Sequence, residues 1–99
     1  MAYEDALIEK AVSFLYKTIE IEDIFVFGSF VEGNFNEESD IDIAVFVKNW
    51  GKYTLKDFAR QLFYIQNYIS SRIELHFFPS KTEPLTFQEY IRNTGRKVA

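Results

Sequence analysis

The sequence predicts an α+β fold, a small mixed sheet with helices packed mainly on one face, and three observations carry that prediction. Segments whose apolar residues recur at helical spacing alternate with short apolar runs rich in β-branched residues. Glycine and proline punctuate the ends of those runs. The 99 residues are 47% apolar and 18% aromatic, ample for one hydrophobic core and too few for two, so residues 1–99 are expected to form a single domain.

From Tyr3 to Thr18 the residues Leu7, Ile8, Ala11, Val12, Phe14 and Leu15 recur at helical spacing and predict an amphipathic first helix. Ile24 to Phe27 reads as a short buried strand stopped by a sharp turn at Gly28. Ser29 is expected to cap a short helical turn through Val31 and Glu32, closed by Gly33-Asn34. The loop Asn36-Glu37-Glu38-Ser39 is polar, and its two glutamates read as solvated. Ile41 to Val47 is a second strand, broken by Trp50-Gly51-Lys52-Tyr53. Thr54 is placed to cap a long helix to about Ser70, with Leu55, Phe58, Ala59, Leu62, Ile65 and Ile69 as its buried stripe. Arg72 to Phe78 is a third strand ended by Pro79. A last helix is expected from Pro84 or Thr86 to Asn93, terminated by Gly95, after which Arg96–Ala99 returns to the sheet edge.

A net charge of -4 argues against a long nucleic acid as the main partner. The absence of cysteine excludes disulfides and thiolate metal sites and fits a reducing interior. With no basic-then-apolar leader and no apolar run near the length of a membrane span, a cytoplasmic location without membrane association is expected. Lys48, Lys52, Lys56 and Arg60 form a local basic strip that reads as a solvated face. Tyr64 and Tyr68 fall opposite the stripe of the long helix, and Phe87 and Tyr90 crowd the last one. This surplus of aromatics points to a second surface covered in a homo- or hetero-oligomer.

The chemistry concentrates in FGSFVEGNFNEESDIDIAVF, Phe27 to Phe46. Side chains alternate along a strand, so Asp40 and Asp42 point the same way with Cα atoms roughly 6.5 Å apart. At about 5 Å and an effective dielectric near 20, the repulsion of two such carboxylates is on the order of 3 kcal/mol. A divalent cation reverses that sign, and hard oxygen ligands without cysteine suit Mg2+ or Mn2+. Glu74, another acid inside an apolar run, completes a triad if the second and third strands are neighbours. Gly28 lets backbone approach a phosphate closely, and the Ser29 hydroxyl and following N–H groups can donate to its oxygens. Metal ligands facing phosphate donors describe a site for a nucleoside triphosphate.

Gly28-Ser29, ten residues, Asp40-Ile41-Asp42 and a later apolar-acid-apolar triplet together resemble the signature of the DNA polymerase β-like nucleotidyltransferase superfamily, in a chain whose brevity is similar to its minimal members. The resemblance spans nearly the whole chain. It implies a palm-like nucleotidyltransferase core and transfer of a nucleoside monophosphate, AMP from ATP or another NTP, to a hydroxyl acceptor. It implies two Mg2+ ions held by Asp40 and Asp42 with help from Glu74, which would also take the proton of the attacking hydroxyl, and pyrophosphate leaving toward Gly28 and Ser29. Many minimal members act as antitoxins toward a HEPN-domain partner. The sequence departs from the common pattern at Phe30 and Glu32, where basic or polar residues are usual, and at Glu74, where aspartate is commoner. The alternative reading is a weakly catalytic or inactive antitoxin that neutralises its partner by binding alone.

Overall fold

The apolar periodicity translates into elements almost segment by segment. The structure, a computed structural model that describes residues 3–33, 36 and 38–98, runs α1 (Tyr3–Thr18), β1 (Ile21–Phe27), α2 (Ser29–Glu32), β2 (Ile41–Val47), a 3-10 turn (Trp50–Lys52), α3 (Leu55–Tyr68), β3 (Ile73–Pro79), α4 (Phe87–Thr94) and β4 (Arg96–Lys97). Among the described residues the sheet has four strands in the order β3-β2-β1-β4. β1 is antiparallel to both β2 and β4, whereas β2 and β3 run parallel. A parallel pair needs a crossover rather than a hairpin, and α3 supplies it.

β2 is central and buried on both sides, since Ile41, Ile43, Ala44, Val45, Phe46 and Val47 lose all contact with solvent. One face, through Ile41, Ile43, Val45 and Val47, packs with Leu7, Ile8, Ala11 and Leu15 of α1 and Phe58 and Ile65 of α3. The other gathers Phe25, Phe27, Ala44 and Phe46 beneath Ile91 of α4. Two helices on one face and a short one on the other match the expected layering. The short α4 lies over this face, with Ile91 in the Phe25–Phe46 cluster and the Phe87 ring 5.7 Å from Phe27, the residue paired with Asp42.

Capping follows the threonines. Thr54 accepts from the Asp57 amide and the Asp57 side chain accepts from the Thr54 amide, a reciprocal capping box for α3. Thr86 does the first half of this for α4 through the Glu89 amide. α4 is also tied to the sheet by Arg92. Its guanidinium lies 3.9 Å over the Phe46 ring, donates to Asp23 Oδ2 at 2.6 Å and Thr82 Oγ1 at 2.6 Å, and reaches the Ser80 carbonyl at 3.0 Å. Burial works to raise the pKa of Asp23, but hydrogen bonds from Arg92 and from Lys97 outweigh it and hold the carboxyl below its ordinary range.

Two local expectations are corrected. Ser29 does not cap α2: Gly28 is the N-cap, and its carbonyl accepts from the amides of Val31 and Glu32, both at 3.1 Å. Gly33 closes that turn in the left-handed conformation as expected, while Asn34 lies outside the described residues, as does Glu37. The stripe of α3 is narrower than its spacing suggests, with Phe58 and Ile65 buried but Leu55 87% exposed and Ala59 exposed. The Phe58 ring is sandwiched by Trp50 at 4.9 Å and Phe77 at 4.5 Å, so the 3-10 turn supplies the cover that Leu55 was expected to give.

Candidate active site

β1 ends at Phe27 and the chain must then turn sharply to enter α2. Gly28 makes that turn at φ 74 and ψ -147, a backbone region that L side chains rarely adopt. A second constraint acts at the same atom. A Cβ built on Gly28 would stand 2.8 Å from Asp42 Oδ2, so the glycine also leaves room for that carboxylate. The Gly-Ser turn and the second aspartate are thus in direct contact.

Asp42 is the one charged residue within β2, whose other members are apolar. The register sets it beside Phe27 of β1 and Glu74 of β3, and the next pair along the same face is Ala44 with His76. Directly paired residues share a sheet face and adjacent strands run about 4.8 Å apart, so the Asp42 and Glu74 side chains are immediate neighbours. β2 and β3 pair as expected with Glu74 beside Asp42, but the expected triad with Asp40 is not assembled among the described residues, because β2 begins only at Ile41. Asp42 Oδ1 is 3.2 Å from His76 Nε2, and the imidazole packs edge-on to Phe27 at 5.1 Å. Asp40 is exposed in the residue before β2. Ser29 is half-buried at the first position of α2.

The donor set suits a hard divalent cation. Asp42 and Glu74 present carboxylate oxygens side by side, and Glu74 and Asp40 form no ion pair with a described residue. Among the described residues no three acidic or histidine side chains cluster tightly enough to hold an ion by themselves. An ion held there would take one or two carboxylates from the chain and complete its shell with other oxygen donors.

The basic strip takes no part in this cluster. Lys52 pairs with Glu20 at 3.5 Å, and Lys56 and Arg60 lie on α3, which packs on the opposite face of the sheet. There they border an exposed aromatic group of Phe63, Tyr64 and Tyr68. Tyr64 stacks on Phe14 of α1 at 4.0 Å, so it is shared between helices, while Tyr68 is 72% exposed. A concavity of about 580 Å³ against Ile8, Val12, Arg96 and Val98, beside α1, contains none of the site acids.

Residues 9–99 match the family model described as polymerase beta, nucleotidyltransferase. The chain belongs to the polymerase β nucleotidyltransferase family. A solved structure of a candidate nucleotidyltransferase from Sulfolobus solfataricus superimposes with a TM-score of 0.53 at 20% identity, covering 94% of this chain and 71% of that one. At such low identity the likeness shows the shared fold. No curated protein sequence matches significantly. The mixed four-stranded sheet with its flanking helices is a polymerase β nucleotidyltransferase fold, and among the described residues no helix is long and apolar enough to cross a membrane.

Within that fold the departure at Phe30 has a structural reason. Phe30 and Val31 pack against the core cluster on the α1 side, and Phe30 lies 5.0 Å beneath the Arg96 guanidinium. The aromatic ring thus packs with the core on the sheet face opposite Asp42 and Glu74. Two contacts join residues distant in sequence. The Arg92–Asp23 pair joins residues 69 apart in sequence. The His76–Asp42 contact had a faint signal, since His76 lies two residues beyond Glu74 and therefore on its face.

Proposed function

We propose that this member of the polymerase β nucleotidyltransferase family is a divalent-metal-dependent enzyme that transfers a nucleoside monophosphate, AMP from ATP, to a hydroxyl group, and that it acts as an antitoxin modifying or neutralising a HEPN-domain partner. The observation that carries the reading is the contact between the Gly28 turn and Asp42, with Glu74 in register beside it. It brings a turn without a side chain and a pair of oxygen ligands to one edge of the sheet. Asp42 and Glu74, with Asp40, would hold Mg2+ or Mn2+, which when bound offsets the charge of the carboxylates and the triphosphate.

The chain's own groups then have defined tasks. Gly28 admits the triphosphate close to backbone, and the Ser29 hydroxyl donates to a phosphate oxygen. The acceptor oxygen attacks the α-phosphorus, forming the new P–O bond as the bond to the bridging α–β oxygen breaks and pyrophosphate departs. Glu74 takes the acceptor's proton. Phe63, Tyr68, Lys56 and Arg60 on the far side of the sheet offer a surface for the partner, apart from the transfer site.

The test is incubation with ATP labelled at the α-phosphate, Mg2+ or Mn2+, and a HEPN-domain protein encoded beside this chain. Label is expected on the partner with the wild type and not with Asp42→Asn. Absence of transfer, or equal transfer by the variant, overturns the catalytic reading. A second reading, neutralisation by binding alone, is favoured by the exposure of Asp40 and by the lack of a preassembled three-ligand cluster among the described residues. In that case Asp42→Asn still protects cells from the partner in a growth assay.

A further inference from the structure

We infer that His76 is a positioning residue for Asp42: its Nε2–H donates to Oδ1 and locks the carboxylate with Oδ2 turned to the Gly28 turn. The inference takes its functional meaning from the metal-dependent reading above. Its geometry stands separately.

His76 lies on β3 opposite Ala44, not opposite Asp42. The small methyl of Ala44 leaves space above the strand, and the imidazole leans diagonally across it to the acid one pair away, a reach that long side chains on one sheet face can make. Phe27 fixes the tilt of the ring from the side, its own ring centroid 5.1 Å off at 66°. Asp42 is therefore held from two directions, by a hydrogen bond at Oδ1 and by close packing against Gly28 at Oδ2. A carboxylate accepts only, so the hydrogen on this contact belongs to Nε2.

Such fixing matters most where two acids are adjacent. Asp42 and Glu74 repel each other across the register, and an unrestrained Asp42 side chain would rotate away from Glu74. The hydrogen bond to His76 opposes that rotation and keeps a carboxylate oxygen beside the Gly28 turn before any cation arrives. Partners that orient metal ligands in this manner are commonly worth 10- to 100-fold in metal affinity. Glu74 and His76 sit at alternate positions of β3, so one strand supplies both a ligand and the group that orients the ligand on its neighbour.

Two measurements decide the matter. Long-range 1H–15N spectra of the metal-free protein at neutral pH are expected to show a proton on Nε2 of His76, and a ring protonated on Nδ1 alone overturns the contact. Mn2+ titration followed by electron paramagnetic resonance, in the presence of a non-hydrolysable ATP analogue, is expected to show roughly tenfold or greater weakening in His76→Phe. His76→Gln, whose amide nitrogen can occupy the place of Nε2, should stay within about threefold of wild type. In an Asp42→Asn background, His76→Phe should add nothing. If His76→Gln is as weak as His76→Phe, the imidazole ligates the ion itself and the positioning role is wrong. Should His76→Phe fail to fold, the His76→Gln titration and the ring-proton measurement still decide. No Mn2+ binding by the wild type overturns the metal-dependent reading and this role together, whereas wild-type binding indifferent to His76→Phe overturns this role alone.

Discussion

Gly28→Ala tests the contact on which the site depends. At φ 74 and ψ -147 an alanine would occupy a region that costs an L residue about 1–3 kcal/mol. Its Cβ would also stand 2.8 Å from Asp42 Oδ2, where ordinary contact begins at 3.4 Å, so the carboxylate must retreat by about 0.6 Å. Pushing Asp42 off its rotamer adds about 1 kcal/mol, for a total loss of about 2–4 kcal/mol. The steric part can be isolated by a cycle with Asp42→Ala, which removes the obstacle and leaves the backbone cost in place. Urea unfolding of the wild type, both single variants and the double variant, followed by circular dichroism, should give a coupling of about 1 kcal/mol between the two positions. A Gly28→Ala loss below about 0.5 kcal/mol would contradict the backbone conformation. Strict additivity would show that Asp42 does not lie against the turn.

Four further outcomes follow from other parts of the molecule. Arg92→Met leaves the partly buried Asp23 to Lys97 alone and should cost about 1–3 kcal/mol by urea unfolding; an unchanged midpoint would refute the tie. Because the folded pKa of Asp23 is lowered, its contribution is present above the unfolded value of about 3.9 and is lost as pH falls through the folded value. Thermal melts below pH 4 should therefore decline less steeply for Asp23→Asn than for the wild type, and parallel declines would refute the assignment. Thr86→Ala removes the α4 cap and should cost about 1 kcal/mol, which Thr86→Ser restores. Leu85 is 97% exposed at φ 61, so Leu85→Gly should be stabilising by up to about 1 kcal/mol, and a loss would contradict the left-handed backbone there.

The legible parts of the chain are those where a local pattern meets only one structural solution. α1 spans the predicted residues because its apolar side chains occupy one side at helical spacing, and β2 because seven residues with a lone acid fit no helix of useful length. The pairing of Asp42 with Glu74 could be anticipated once the strands were taken as neighbours. What failed had tertiary causes. Leu55 lies on the correct stripe, yet Trp50 reaches Phe58 from the preceding turn and leaves it in solvent. Ser29 has the chemistry of a cap, but Gly28 has the backbone freedom that the entry to α2 demands. Asp40 keeps the spacing of a second ligand and is left exposed by the strand's starting one residue later. The Arg92–Asp23 tie and the lean of His76 across Ala44 depend on register between distant strands, which no single segment encodes.

The β1–β4 ladder has a bearing on how the chain is made. β1 receives its second neighbour only from residues 96–97, with the Val98 amide bonding the Ile24 carbonyl at 2.9 Å. During synthesis on the ribosome that neighbour emerges some seventy residues late, so β1 waits with one edge open to any other extended polypeptide. Slow or prematurely stopped translation after β3 would thus expose nascent chains to mutual β-pairing, a hazard that disappears once the short final strand docks.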